Sequence, residues 1–137
     1  MNKSLYIFFG GFLGGLMRYL VGIFEKSLFG TGDYSILTVN LVGAFLLSTI
    51  NYYAIKKKKI DRSSPCYIGL TTGFLGAFTS FSSLTKDLVL FSQESMAKGM
   101  VYLLLSLFGG YLCTLTAIYQ YLLSLIIDKE AGAKSII

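Results

Sequence analysis

The chain has 137 residues, 54% of them hydrophobic, with 15 glycines, one proline and no histidine, and its mean hydropathy is +0.66. That composition belongs to helical membrane proteins and excludes an ordinary soluble domain. The net charge of +5 does not point to nucleic acid, because its main cluster, Lys56-Lys57-Lys58-Lys59 with Arg62, joins two apolar runs and reads as a topology signal.

A spanning helix needs roughly 20 apolar residues. Four runs of that kind, residues 5–24, 35–55, 66–91 and 99–127, predict an all-α integral membrane protein in which 1–137 form a single four-helix transmembrane domain. The first run follows Lys3 as a signal peptide would, but it continues past Arg18 and no small-x-small cleavage site follows, so it is expected to stay as helix one.

Helix one carries Gly10, Gly11, Gly14 and Gly15, two overlapping Gly-x-x-x-Gly pairs that let another backbone come close. Arg18 lies one turn later, well inside the span. A guanidinium there needs carbonyl or carboxylate partners or a wet cavity, so it either braces helix ends or draws anions. Residues 25–34 follow as a turn with Gly30 and Gly32 and no evident chemistry. In helix two, Asn40, Gly43 and Asn51 fall near one stripe with Ser48 beside it. The Asn40 amide, several residues into hydrocarbon, must face another helix or a hydrated path.

The third run is where ordinary helix is expected to fail. Gly73 and Gly76 are followed by Thr79, Ser80, Ser82, Ser83 and Thr85 interleaved with Phe81 and Leu84, and then by Lys86-Asp87. A break over 73–87, with freed carbonyls able to hold an ion, is one reading; a continuous helix with back-bonded hydroxyls is the other. Helix four places Tyr102, Ser106, Gly109 or Gly110 and Cys113 on one narrow polar and small stripe. With hydroxyl and amide donors on three helices and Asp87 the one carboxylate in the expected spans, an anion is favoured over a cation as the permeating species. Cys66 and Cys113 sit in apolar surroundings and support neither a disulfide framework nor a metal site. No nucleophile–base pair, metal cluster or phosphate loop is present, which excludes catalysis.

Gly11-x-x-Gly14-x-x-x-Arg18-Tyr19, Thr38-Val39-Asn40-x-x-Gly43 and Gly73-Phe74-x-Gly76-x-x-Thr79-Ser80-Phe81-Ser82-Ser83, in that order along the chain, resemble the Fluc (CrcB) fluoride channels. The resemblance implies an antiparallel dimer in the bacterial plasma membrane that passively exports fluoride through two pores. It implies that Asn40 donates to fluoride, that Arg18 is structural, and that the backbone carbonyls of Gly76 and Thr79 hold a structural sodium ion at the dimer interface. Phe81 matches the first of the family's two pore phenylalanines, and Ser82 and Ser83 match the polar track. Tyr102 and Ser106 resemble the pore-lining tyrosine and serine of helix four, while Asp87 stands where the family usually has glutamate.

Leu84 occupies the position of the second phenylalanine, and leucine has no positive ring edge to offer. Some bacteria pair two unlike subunits, and this chain resembles one half of such a heterodimer, its partner a non-identical paralogue. Topology points the same way. Lys3, Lys56, Lys57, Lys58, Lys59, Arg62, Lys129 and Lys134 share one side and only Lys26 and Lys98 the other, eight against two, which predicts one orientation with both termini cytoplasmic. Two other readings stay open: a small proton-coupled multidrug exporter, which needs a membrane-embedded glutamate in helix one that 5–24 lacks, and a non-conducting structural membrane subunit.

Overall fold

The computed structural model describes residues 2–30, 34–56 and 61–134. Every regular element among them is helical: α1 (Lys3–Phe29), α2 (Ser35–Lys56), α3 (Pro65–Ile68), a π-helical stretch (Gly69–Leu75), α4 (Gly76–Phe78), α5 (Phe81–Glu94) and α6 (Met96–Lys134). Three stretches of the described residues are long and apolar enough to cross a membrane, Lys3–Phe29, Ser35–Ile55 and Met96–Ile127. The remaining expected span is assembled from shorter pieces on either side of a bend at Thr79-Ser80.

Several boundaries differ from the sequence expectation. Helix α1 runs on to Phe29, because nothing in Glu25-Lys26-Ser27-Leu28-Phe29 stops a helix. Gly30 ends it by adopting φ +74°, with its N–H returning to the Lys26 carbonyl at 3.0 Å. Glu25 is therefore helical, so the first helix does carry a carboxylate, near its C-terminal end. Helix α6 likewise starts at Met96 and reaches Lys134. Residues 31–33, within the expected first turn, and 57–60, with most of the basic cluster, lie outside the described residues.

The break is narrower than 73–87. Gly73 stays in the π-helical stretch and Gly76 in α4, and only Thr79 (φ −81°, ψ 154°) and Ser80 (φ −150°, ψ 108°) leave helical geometry. Glycine lowers helix propensity but does not itself end a helix that tertiary packing supports. Here it serves that packing. A Cβ at Gly14 would overlap the Phe74 carbonyl, one at Gly10 the Gly69 carbonyl, and one at Gly73 would stand 2.7 Å from the Ile7 carbonyl. α1 and the π-helical stretch thus meet backbone to backbone. Only one of the two Gly-x-x-x-Gly pairs does this: Gly11 is at ordinary contact distance and a Cβ at Gly15 would meet nothing.

The other interfaces follow the same rule. Gly43 brings α2 against Thr79, Gly109 brings α6 against Leu41, and Gly99 brings the start of α6 against Ser92. Val39, Leu75 and Phe78 form a small buried core with Val21, Ile50 and Phe74 packed on it. Much of the remaining apolar surface points outward, with Phe8, Phe12, Phe24, Phe29, Leu107 and Phe108 all more than 60% exposed, as a bilayer or a second chain requires.

Gly14→Ala is expected to lower stability by about 1–3 kcal/mol through the forced separation of α1 from Phe74, whereas Gly15→Ala is expected to leave it unchanged. Thermal unfolding of the two variants in detergent, side by side, checks this.

Candidate functional site

The bend in the third span is held by one side chain from another helix. Asn40 on α2 accepts the Ser80 N–H on Oδ1 at 2.8 Å and donates from Nδ2 to the Ser80 carbonyl at 3.3 Å. An amide is the one neutral side chain type that matches a backbone unit donor for acceptor, so Asn40 pairs with Ser80 as a neighbouring strand would. This answers the alternative left by the sequence: the Asn40 amide faces the break.

Ser80 in turn organises the start of α5. Its Oγ accepts the Ser83 N–H at 3.1 Å, capping that helix, and contacts the hydroxyls of Ser83 at 2.8 Å and Ser82 at 3.3 Å. Ser80 is 9% exposed. Sequence reasoning took Ser82 and Ser83 as site residues and missed Ser80, although a serine three residues before another polar residue at a helix start is a recognisable cap signal.

These bonds have a consequence for the carbonyls upstream. The Ser80 N–H would close the helix on the Gly76 carbonyl, but it is turned to Asn40; the Ser83 N–H, four residues after Thr79, is turned to Ser80 Oγ. Meanwhile the Leu75 carbonyl takes both the Thr79 N–H at 3.0 Å and the Thr79 hydroxyl at 2.9 Å. The N–H groups that would close on Gly76 and Thr79 in a continuous helix are thus turned elsewhere, and no backbone bond across the break reaches Ala77 or Phe78 among the described residues either. No group of three or more His, Cys, Asp or Glu residues is placed to hold a metal among the described residues.

Asn40, Gly43, Thr71, Gly76, Thr79 and Phe81 line an open cavity of about 360 Å³ beside the bend. Phe81, the first residue of α5, is 80% exposed, and a Cβ at Gly76 would meet nothing. Ser82 is exposed, while Ser83 and Leu84 are half-buried. The cavity beside the bend is thus lined by an amide residue, hydroxyl residues and a phenylalanine.

The remaining sequence-predicted residues lie elsewhere. Tyr102 is 2% exposed, donates its hydroxyl to Asp87 Oδ2 at 3.3 Å and packs its ring 4.9 Å from that of Phe91, so it ties α5 to α6. Ser106 donates back to the Tyr102 carbonyl at 2.9 Å. Arg18 lines an open cleft between α1 and α2 with Gly15, Tyr19 and Lys26 and has no hydrogen-bonding partner among the described residues. The stripe on α2 divides: Asn40 and Gly43 go to the bend, while Ser48 and Asn51 line a separate cavity against α6.

The family described as CrcB-like protein, Camphor Resistance (CrcB), matches residues 5–118. A protein of Carboxydothermus hydrogenoformans named fluoride-specific ion channel FluC 2 is 40% identical over 91% of this chain and 92% of its own length. A FluC 2 of Ligilactobacillus salivarius is 38% identical, covering 85% and 82% of the two chains, and a FluC of Thermotoga petrophila is 38% identical, covering 80% and 86%.

Removing the Asn40 amide leaves the Ser80 N–H without an acceptor, which costs about 1–3 kcal/mol, while the Ser80 carbonyl keeps the Leu84 N–H at 3.2 Å. Asn40→Ala is expected to lower the thermal midpoint more than Asn40→Asp, because aspartate still accepts the Ser80 N–H, and Ser80→Ala should cost about 0.5–2 kcal/mol as a lost cap. Equal midpoints for all three and the parent would remove Asn40 as the clamp.

Proposed function

The chain belongs to the CrcB-like family, and we propose that it is one subunit of a fluoride channel that lets fluoride leave the cytoplasm passively, so reducing its toxicity. It is a channel-family protein and not an enzyme, as the names of its relatives indicate. The observation that carries the reading is the Asn40 clamp on Ser80, which holds the third span open and leaves Phe81 facing out beside an amide and a serine cluster. Fluoride crosses a membrane only where its water is replaced by other donors. Asn40, Ser82 and Ser83 supply N–H and O–H, and Phe81 supplies the positive edge of its ring. Tyr102 and Ser106 extend the path along α6, Tyr102 exchanging its bond to Asp87 for one to the ion.

The residues at the bend fit a structural sodium ion. The carbonyls of Gly76 and Thr79 would hold it, and it would supply the positive charge of a hard cation, which prefers oxygen ligands. The open face at Gly76 supports placing it at a subunit interface. The same face, with the exposed Phe81, supports a dimer whose second subunit is inserted the other way up. That the partner is a non-identical paralogue is supported by Leu84 in the second phenylalanine position and by the eight-to-two distribution of Lys and Arg. Relatives whose names carry a number fit two unlike subunits in one cell. The setting is the bacterial plasma membrane, with both termini cytoplasmic.

Fluoride efflux from liposomes tests the reading. Fast, proton-independent, fluoride-selective flux is expected, abolished or sharply cut by Phe81→Ala with assembly intact. Slow pH-coupled flux would favour an exporter, and none with either this chain or a chain pair would favour a scaffold. Cysteine accessibility at both loop faces is expected to show one orientation when the chain is reconstituted alone, with flux appearing on addition of the second subunit; dual insertion with full flux would sink the heterodimer.

Because Gly76 has space around it within the subunit, Gly76→Leu is expected to fold but to lose the dimer, read as a monomer of unchanged thermal midpoint by size-exclusion chromatography. A conducting Gly76→Leu dimer would move the ion site elsewhere.

A further inference from the structure

We propose that the chain carries a second anion-binding site, built around Asn51 near the end of α2, which serves fluoride as a station on the way to the bend. The role as a station rests on the channel reading; the chemistry of the site does not. Ser48 and Asn51 lie one turn apart and face α6 across a cavity of about 290 Å³, with Tyr52, Thr114 and Tyr121 among its other walls. The Tyr67 hydroxyl donates to Asn51 Oδ1. That bond uses the acceptor end of the amide and leaves its NH2 as the end with donors to give. The Ser48 hydroxyl has no hydrogen-bonding partner among the described residues, so it too has a proton to donate. Thr114 is different: its hydroxyl donates to the Gly110 carbonyl at 3.1 Å.

The free donors therefore come from α2, and no carboxylate lines the cavity. A wall with N–H and O–H to offer and no negative charge suits an anion and repels no halide. The sequence adds Lys56, Lys57, Lys58 and Lys59 directly after this turn, which raises the local concentration of anions on that side. Asn51 also repeats the device seen at the bend. At Asn40 the amide oxygen is held by a donor from the third span, the Ser80 N–H; at Asn51 it is held by another, the Tyr67 hydroxyl. The eleven-residue step from Asn40 to Asn51 places the two amides about 16 Å apart along α2, at a rise of about 1.5 Å per residue. Tyr52 and Tyr121, edge to face at 5.8 Å, stand beside the site.

A site of this kind is distinguished from a mere clamp between α2 and α3 by Asn51→Asp. Aspartate still accepts from Tyr67 but replaces the donor end with negative charge. The probe is sodium fluoride, read as flux from liposomes holding the chain with its partner and as fluorine NMR line broadening with the full chain in detergent. Asn51→Asp is expected to cut flux about tenfold and to remove the Asn51-dependent part of the broadening, with the thermal midpoint kept; Tyr67→Phe, which lets the amide turn, should cut flux about threefold. Flux and broadening equal to the parent in Asn51→Asp overturn the site and leave the channel reading standing. A parent that does not conduct but broadens in an Asn51-dependent way overturns the channel and keeps the site, and a parent without broadening overturns the site. If Asn51→Asp does not fold, Ser48→Ala reads the same cavity without touching the Tyr67 bond, and binding unaltered in that variant counts against the proposal.

Discussion

A peptide unit cannot leave helical geometry inside a membrane unless something other than water takes its N–H and C=O. In this chain that something is Asn40, and most of the site depends on it. With Ser80 paired to an amide on α2, the chain can turn at Thr79-Ser80, restart as α5, and point Phe81 away from the bundle. The N–H groups that a continuous helix would close on the carbonyls of Gly76 and Thr79 are engaged instead by Asn40 and by Ser80 Oγ. One amide thus holds the bend and positions the serine that caps the next helix.

For the clamp to work, α2 must come close to the bend and the bend must not move. Gly43 allows the first, because any side chain there would collide with Thr79. The second comes from α1, whose Gly10 and Gly14 seat the π-helical stretch against bare backbone. A π-helical stretch is wider than an α-helix and costs hydrogen-bond quality, so it persists where tertiary contacts fix it. Rigidity upstream and capping downstream confine the non-helical geometry to two residues. That confinement is what separates a built site from a frayed helix.

The all-helical class, the four apolar runs and the third run as the place of irregularity were legible in the sequence, because each rests on hydrophobic length or on residues that helices use poorly. The extent of the break was not. Glycines and hydroxyls over 73–87 mark a weakened helix, but the place where it opens is set by the partner, Asn40, forty residues away in the chain. Long-range pairs of this kind leave no local signal, and Tyr67 with Asn51 is another, joining residues in different runs. The end of α1 was misjudged for a simpler reason: Glu25 and Lys26 lower hydropathy without disturbing a helix, so the membrane boundary and the helix boundary are different things. Gly30, with its positive φ, marks the second.

What stands on the outside of this subunit bears on why one chain is not a complete channel in the proposed reading. Phe81, Gly76 and Gly15 are open, and Arg18 has no hydrogen-bonding partner among the described residues although it lies in the middle of a spanning helix. An intramembrane guanidinium left in hydrocarbon is costly by several kcal/mol on the order of the transfer scales, so Arg18 requires water or another protein beside it. A phenyl ring can face lipid at no cost, but a replacement solvation shell for fluoride needs donors on more than one side, and Phe81 with Asn40 supplies one side only. In the proposed reading an identical copy opposite would offer Leu84 where the resemblance implies a second ring edge. The deficiency is therefore chemical rather than steric, and it is the kind that an unlike subunit carrying the missing ring makes good.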